Sequence, residues 1–235
     1  MGVFSKIKAL KRCYFPTRSD LGTAGKNAKI EFPVYITNSK FVHMEENTVL
    51  RQRSLILNDV NENVYIKKYT AIAPGCKIVT NNHRSTVGIP HVLLGASHIN
   101  DKSCDITINE DVWVGVNVTF LSGAEIGRGC VIGACSMVNK PIPPYAVAVG
   151  SPAKIVGVKF SIEQILKHEE VLYPPEERIS RKELEELFET YYKGKTPFGV
   201  ETEFSEDDVA HFKWAVNKRR FIHPKHGKIE IKAKK

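Results

Sequence analysis

The chain has 235 residues, 42% of them hydrophobic, enough to bury one good-sized core with appendages. It carries no run of 18 apolar residues and no signal-peptide hydrophobic segment, so a soluble cytoplasmic protein is the expectation. The formal charge of +8 sits at the ends, with five bases against one acid in residues 1–20 and nine against one in 212–235, which leaves the middle net acidic and excludes a nucleic-acid-binding face there.

Residues 1–15 read as a basic amphipathic segment, with Val3, Phe4, Ile7 and Leu10 at helical spacing among Lys6, Lys8, Lys11 and Arg12. The stripe suits either a cap on the end of the fold or peripheral docking to an anionic membrane surface at its inner face. From Ile30 onward a six-residue rhythm sets in. It is clearest from Ile108 to Pro143, where large apolar residues fall at Ile108, Val114, Phe120, Ile126, Ile132 and Val138. Two residues before the last five stand smaller ones, Val112, Val118, Ala124, Cys130 and Ser136. Each hexad is a small-out-large triplet, the mark of a very short strand with two buried side chains. A helix would scatter these positions around its circumference, and a sandwich would space its turns more widely. The pattern predicts a solenoid.

Counted backwards in sixes, the large positions are Ile78, Ile72, Ile66 and Val60, then Ser54 and Thr48, then Val42, Ile36 and Ile30. Asn109, Gly115, Gly127 and Gly133 each follow a large residue, where a chain about to turn is expected to need φ freedom. The one long interruption, residues 84–105, has no period and re-enters in phase, as an excursion from one corner. Five cysteines, odd in number and without a C-x-x-C pair, read as free thiols, with Cys76 and Cys130 in the small interior slot.

Beyond Pro152 come three helix starts with capping boxes or a near relative: Ser161 with Gln164, Ser180 with Glu183, and Ser205 with Asp208. In the second helix Leu184, Leu187, Phe188 and Tyr191 predict one apolar face, and Gly194 a stop. The expected organisation is therefore an N-terminal segment (1–29), an all-β solenoid (30–157), a helical cap (158–217) and a partly disordered basic tail (218–235).

The segments DVWVG (111–115), AEIG (124–127), IGA (132–134), KPIPP (140–144) and GSPAK (150–154) are similar to those of the hexapeptide-repeat acyltransferases. Within that family the resemblance is to galactoside, maltose, xenobiotic and capsule or O-antigen O-acetyltransferases, over about residues 30–157. It implies a left-handed parallel β-helix, a homotrimer with active sites between subunits, and acetyl-CoA as acyl donor with no metal. His83 matches the family's catalytic histidine, and it ends the last regular hexad before the excursion, where an imidazole can take the proton of an attacking hydroxyl. By the same match Trp113 walls the acetyl and pantetheine channel, the Val116 N–H faces the thioester oxygen, Ala134 meets the pantetheine arm, and Lys140 and Lys154 contact coenzyme A phosphates. An outward indole such as Trp113 also suits a subunit interface.

For the acceptor pocket the sequence offers Asn58, Asp59, Asn81 and Asn82 without ranking them. It offers no carboxylate dedicated to orienting His83, so a backbone carbonyl is expected in that role, and His91 and His98 read as ordinary loop residues, either of which could touch the acceptor. The expected reaction is acetyl transfer to a sugar hydroxyl of a surface polysaccharide or its precursor. The alternatives are an antibiotic acceptor, an amino-sugar N-acetyltransferase, a carbonic-anhydrase-like zinc trimer and a non-catalytic scaffold. The zinc enzyme needs three converging histidines, and none occurs between Ile99 and Lys167.

Overall fold

The computed structural model describes residues 11 and 13–234. Most of the basic amphipathic stretch expected in residues 1–15 lies outside them. The chain forms two compact units, Met1–Lys154 and Ile155–Lys235.

The first unit is made of strands two to four residues long that visit three walls in rotation. The first wall stacks β1 (Thr23–Ala24), β4 (Val42–Met44), β7 (Val64–Ile66), β10 (Ile106–Ile108) and β13 (Glu125–Ile126). The second stacks β2 (Lys29–Ile30), β5 (Val49–Leu50), β8 (Ala71–Ile72), β11 (Trp113–Val114), β14 (Val131–Ile132) and β16 (Ala146–Val149). The third stacks β3 (Tyr35–Ile36), β6 (Leu55–Leu57), β9 (Lys77–Val79), β12 (Thr119–Leu121) and β15 (Met137–Val138). Neighbours in each wall pair in parallel, as Trp113 with Val131 and Phe120 with Val138 show. This is the solenoid that the hexads predict. The large position of each triplet points inward, so Ile36, Ile56, Ile78, Phe120 and Val138 stack up the third wall, all buried. The small interior positions hold hydroxyls and thiols whose protons find turn carbonyls: Thr48 donates to Glu45 O at 2.7 Å, Thr70 to Asn109 O at 2.6 Å and Cys76 to Gly115 O at 3.2 Å.

The strict six-residue count fails in the middle. Ile36 pairs with Ile56, 20 residues on, and Ile56 with Ile78, 22 residues on, whereas the upper coils keep to 18, as between Val114 and Ile132. Two extra residues fall before Met44 and four before Ile66. Together they equal one hexad, so the phase is right at both ends and shifted between. Thr48 and Ser54 are consequently small interior residues beneath Leu50 and Ile56, and Val60 is 53% exposed in a loop. The glycines also play a different part from the one expected. Between Ile108 and Val138 the left-handed turn residues are Asp111 (φ 53°), Asn117 (φ 56°), Gly123, Gly129 and Cys135 (φ 60°), not Asn109, Gly115, Gly127 or Gly133. Gly115 is required by proximity, since a Cβ there would lie 2.6 Å from Ala134 N in the coil above.

The excursion leaves after β9 and carries α1 (His91–Ser97), pinned by the fully buried Leu94. It rejoins the first wall at Ile106, which sits directly above Val64. In the second unit, after β17 (Lys154–Val158), come α2 (Ile162–Leu172), α3 (Arg181–Leu187) and α4 (Glu206–Arg219), each opened by the expected Ser161, Ser180 or Ser205 box. α3 continues into a π-helical turn over Phe188–Tyr192, which rotates the apolar face by one residue, so Tyr192 is buried and Tyr191 exposed. In the basic tail, expected to be partly disordered, Ala233 bridges Phe204 and Lys234 pairs with Glu203 at 2.6 Å. Among the described residues no helix is long and apolar enough to cross a membrane.

Candidate active site

His83 stands where the third wall ends and the excursion begins, on the edge leading back to the first wall. Its Nδ1 lies 3.2 and 3.1 Å from the two carboxylate oxygens of Asp101, on the returning limb of the excursion. An ionised carboxylate can only accept, so in the neutral ring this contact favours the tautomer with the proton on Nδ1 and the lone pair on Nε2. Gly95 of α1 lies beside that nitrogen; even a Cβ there would stand 3.8 Å away, so the helix crowds the ring without blocking it. The expected backbone carbonyl is thus replaced by a side-chain carboxylate.

Asp101 also accepts from a second ring. His98, in a left-handed conformation at the C-terminal end of α1, brings its Nδ1 to 2.9 Å from Asp101 Oδ2. The two imidazoles meet edge to face with centroids 5.4 Å apart. Desolvation pushes the Asp101 carboxyl up, but the bonds from His98 and His83 and their charge together hold it below the ordinary value. Nearby, Glu62 is driven the other way by desolvation first and then by the negative charge of Asp59, Asp105 and Asp101. Its Oε2 is buried and has no hydrogen-bond partner among the described residues. Asp101 and Glu62 are absent from the residues the sequence singles out, and His98 is there only as a loop histidine that could touch the acceptor. The only signal for His98 with Asp101 was an H-x-x-D spacing inside an unpatterned loop.

The predicted acceptor residues divide. Asn58 is 1% exposed and its amide is spent on Asn38, accepting from the backbone N–H at 3.2 Å and donating to the carbonyl at 3.0 Å. That burial withdraws it from the acceptor side. Asp59 lies close by, with Oδ2 3.9 Å from His98 Nδ1. Asn81 accepts from Thr80 at 3.3 Å, and the exposed Asn82 bonds through its backbone N–H to Ser103 at 3.3 Å.

The predicted cofactor residues occupy another part of the column. Trp113 stands outward on the second wall between Ala71 and Val131, 61% exposed. Val116 and Ala134 follow β11 and β14 at the edge between the second and third walls, one coil apart, and are exposed. The Val116 carbonyl accepts from Cys135 at 2.8 Å, while its N–H has no partner among the described residues. Lys140 follows β15 and Lys154 opens β17, both exposed. One chain therefore presents an imidazole on one edge and a tryptophan with a free amide along a different wall and edge.

The family model for the bacterial transferase hexapeptide (six repeats) matches residues 105–140. The galactoside O-acetyltransferase of Escherichia coli is 34% identical over 134 residues, 57% of this chain and 62% of that protein, so the chain spans less than two thirds of its length. A probable macrolide acetyltransferase of Lysinibacillus sphaericus is 34% identical over 157 residues, 57% of this chain and 87% of that protein. A hexapeptide-repeat acetyltransferase of Vibrio cholerae, solved in complex with acetyl-coenzyme A, has the same fold, with a TM-score of 0.57 and 22% identity over 67% of this chain and 86% of that one. The three-walled column of hexads and the identity to a relative matched over nearly its whole length place the chain in the hexapeptide-repeat acetyltransferase family.

Proposed function

We propose that the chain is an acetyl-CoA-dependent O-acetyltransferase that acts on a sugar hydroxyl of a surface polysaccharide or its precursor, with His83 as general base. The observation that carries this is the His83–Asp101 pair, which presents Nε2 as an acceptor at the mouth of a long loop. Support for the donor comes from the Vibrio cholerae complex with acetyl-coenzyme A, and for a sugar acceptor from the galactoside relative. The winding is left-handed, as the family implies.

In the reaction the acceptor oxygen attacks the thioester carbonyl carbon while His83 Nε2 takes the hydroxyl proton, and Asp101 stabilises the imidazolium that forms. The carbonyl oxygen becomes an oxyanion facing the unpaired N–H of Val116. As the intermediate collapses, the carbon–sulfur bond breaks and the imidazolium returns its proton to the coenzyme A thiolate. Because His83 and Val116 lie on different edges of one column, the site is completed by a second copy in a trimer. Trp113 and Ala134 line the channel, Lys140 and Lys154 meet the phosphates, and Asp59, Asn81 and Asn82 face the acceptor. A second reading, an antibiotic hydroxyl as acceptor, is favoured by the macrolide relative.

Incubation with acetyl-CoA and panels of neutral sugars, amino sugars and macrolides, read by thiol release and product mass, tests both. Acetyl esters on sugars support the first reading and acetylated macrolide the second. Amide products would overturn the O-transfer assignment, and no thiol release with any acceptor would overturn the function.

A further inference from the structure

Three side chains converge at the His83 corner, each offering an atom that can bind a metal. Nδ1 of His83, Nδ1 of His98 and a carboxylate oxygen of Asp101 all fall within 4.8 Å of one another. The Asp101 Oδ2 is 3.1 Å from the first nitrogen and 2.9 Å from the second. Zinc bonds to imidazole nitrogen and carboxylate oxygen are about 2.0–2.2 Å, so tetrahedral ligands stand roughly 3.3 Å apart. The two nitrogen–oxygen spacings are short of that by a few tenths of an ångström, and the two nitrogens, within 4.8 Å of each other, flank the carboxylate from either side. Asp59 Oδ2, 3.9 Å from His98 Nδ1, stands within reach of a fourth position. Two further observations point to a cation. The Glu62 Oε2 is buried without a partner among the described residues, and Asp59, Asp101 and Asp105 lie close enough to Glu62 to raise its carboxyl, so negative charge gathers beside the two rings that Asp101 joins. None of the three donors is fully buried, so an ion can enter.

We propose that His83, His98 and Asp101, with Asp59 as fourth donor, form a site for a borderline divalent cation such as Zn2+ that inhibits the enzyme rather than serving it. The inhibitory half rests on the function proposed above; the binding half stands without it. Inhibition follows from the tautomer. In the free site Nδ1 of His83 holds the ring's proton against Asp101 and Nε2 is the base. A metal on Nδ1 needs that lone pair, so the ring's single proton moves through solvent to Nε2. The neutral ring neither gains nor loses a proton and nothing is reduced or oxidised. Nε2–H can no longer accept a proton from the acceptor hydroxyl, and the reaction stops at its first step.

The test is calorimetric titration of the full chain with Zn2+, together with visible absorption after Co2+ addition. One equivalent bound, and affinity weakened about tenfold or more by His98→Ala and by Asp101→Asn but not by His226→Ala in the second unit, supports the site. Equal affinity in all four proteins, or no stoichiometric binding, overturns it. Should His98→Ala lose its far-UV circular dichroism, Co2+ on the intact chain decides: a tetrahedral spectrum supports the site and an octahedral one overturns it. For the inhibitory half, acetyl transfer lost on adding one equivalent of Zn2+ and regained with chelator is expected. Full activity with the metal bound overturns the tautomer inference. Zinc binding without any acetyl transfer would sink the proposed function alone, and acetyl transfer without zinc binding would sink this site alone.

Discussion

Gly115→Ala isolates what the tight stacking of coils does for the candidate site. The added Cβ would lie 2.6 Å from Ala134 N and 2.9 Å from Ala134 Cα, both backbone atoms that no rotamer change can move. Relief to ordinary contact, which begins at 3.4 Å, requires the two coils to part by about 0.8 Å at that edge. The bonds Gly115 N to Ile132 O and Cys135 N to Val116 O, each 2.8 Å, would then stretch to about 3.6 Å, past useful hydrogen-bond length. At about 0.5–1.5 kcal/mol net per bond, the loss is roughly 1–3 kcal/mol, the range expected for overpacking by one methyl. The backbone at Gly115 is not left-handed, so alanine suits its conformation and the smaller entropy of the unfolded chain offsets about 0.4–1 kcal/mol, leaving a net loss of about 1.3 kcal/mol at mid-range. Urea denaturation should show a lower midpoint at unchanged slope. Steady-state kinetics should show a higher KM for acetyl-CoA, because the edge that parts carries Val116 and Ala134. Stability within about 0.5 kcal/mol of the parent together with an unchanged KM would refute both the close stacking and the placement of the cofactor on that edge.

His83→Ala should lower kcat by about 10²–10⁴ while leaving acetyl-CoA binding by calorimetry unchanged; retained turnover would remove the base. Asp101→Asn should lower kcat by about 10–10³ with the same binding, since the amide can hold only one ring and can favour the wrong tautomer. The Asp101 carboxyl titrates below its ordinary value in the folded chain, so its stabilising bonds to the histidines are present above that ordinary value and lost as pH falls through the lowered one. The stability difference between parent and Asp101→Asn should accordingly vanish at acid pH and persist at neutrality, which chemical denaturation at several pH values checks. Burial pushes the Cys76 thiol up to about 11, whereas Cys104 and Cys135 are exposed. A thiol reagent at pH 8 should label the exposed pair and leave Cys76 untouched until the chain unfolds.

The column was legible because its signal is local: each triplet from Ile108 to Val138 declares its inward side chains within three residues. The capping boxes at Ser161, Ser180 and Ser205 were legible for the same reason. The shifted middle coils were not, since insertions of two and four residues sum to a full repeat and hide one another at either end. The role of Gly115 was misread because sequence shows a missing side chain without showing whether backbone rotation or a neighbour's approach requires it. Among the site residues, His83 could be picked from its place before the break. Asp101 could not, because a residue 18 positions away in an unpatterned loop is joined to it only by the return of the chain to Ile106.

The wide excursion leaves from the end of the third wall and re-enters at the start of the first, the corner that a plain hexad would turn, with Ile106 seated on Val64 as if the intervening residues did not exist. From the standpoint of the stacked interior the length and content of that loop are therefore free variables. Segments exchanged at those two anchor points would alter what stands beside the imidazole while leaving the stacked interior as it is, provided that each keeps a carboxylate where Asp101 meets His83, so diversification and folding are separately heritable in this architecture.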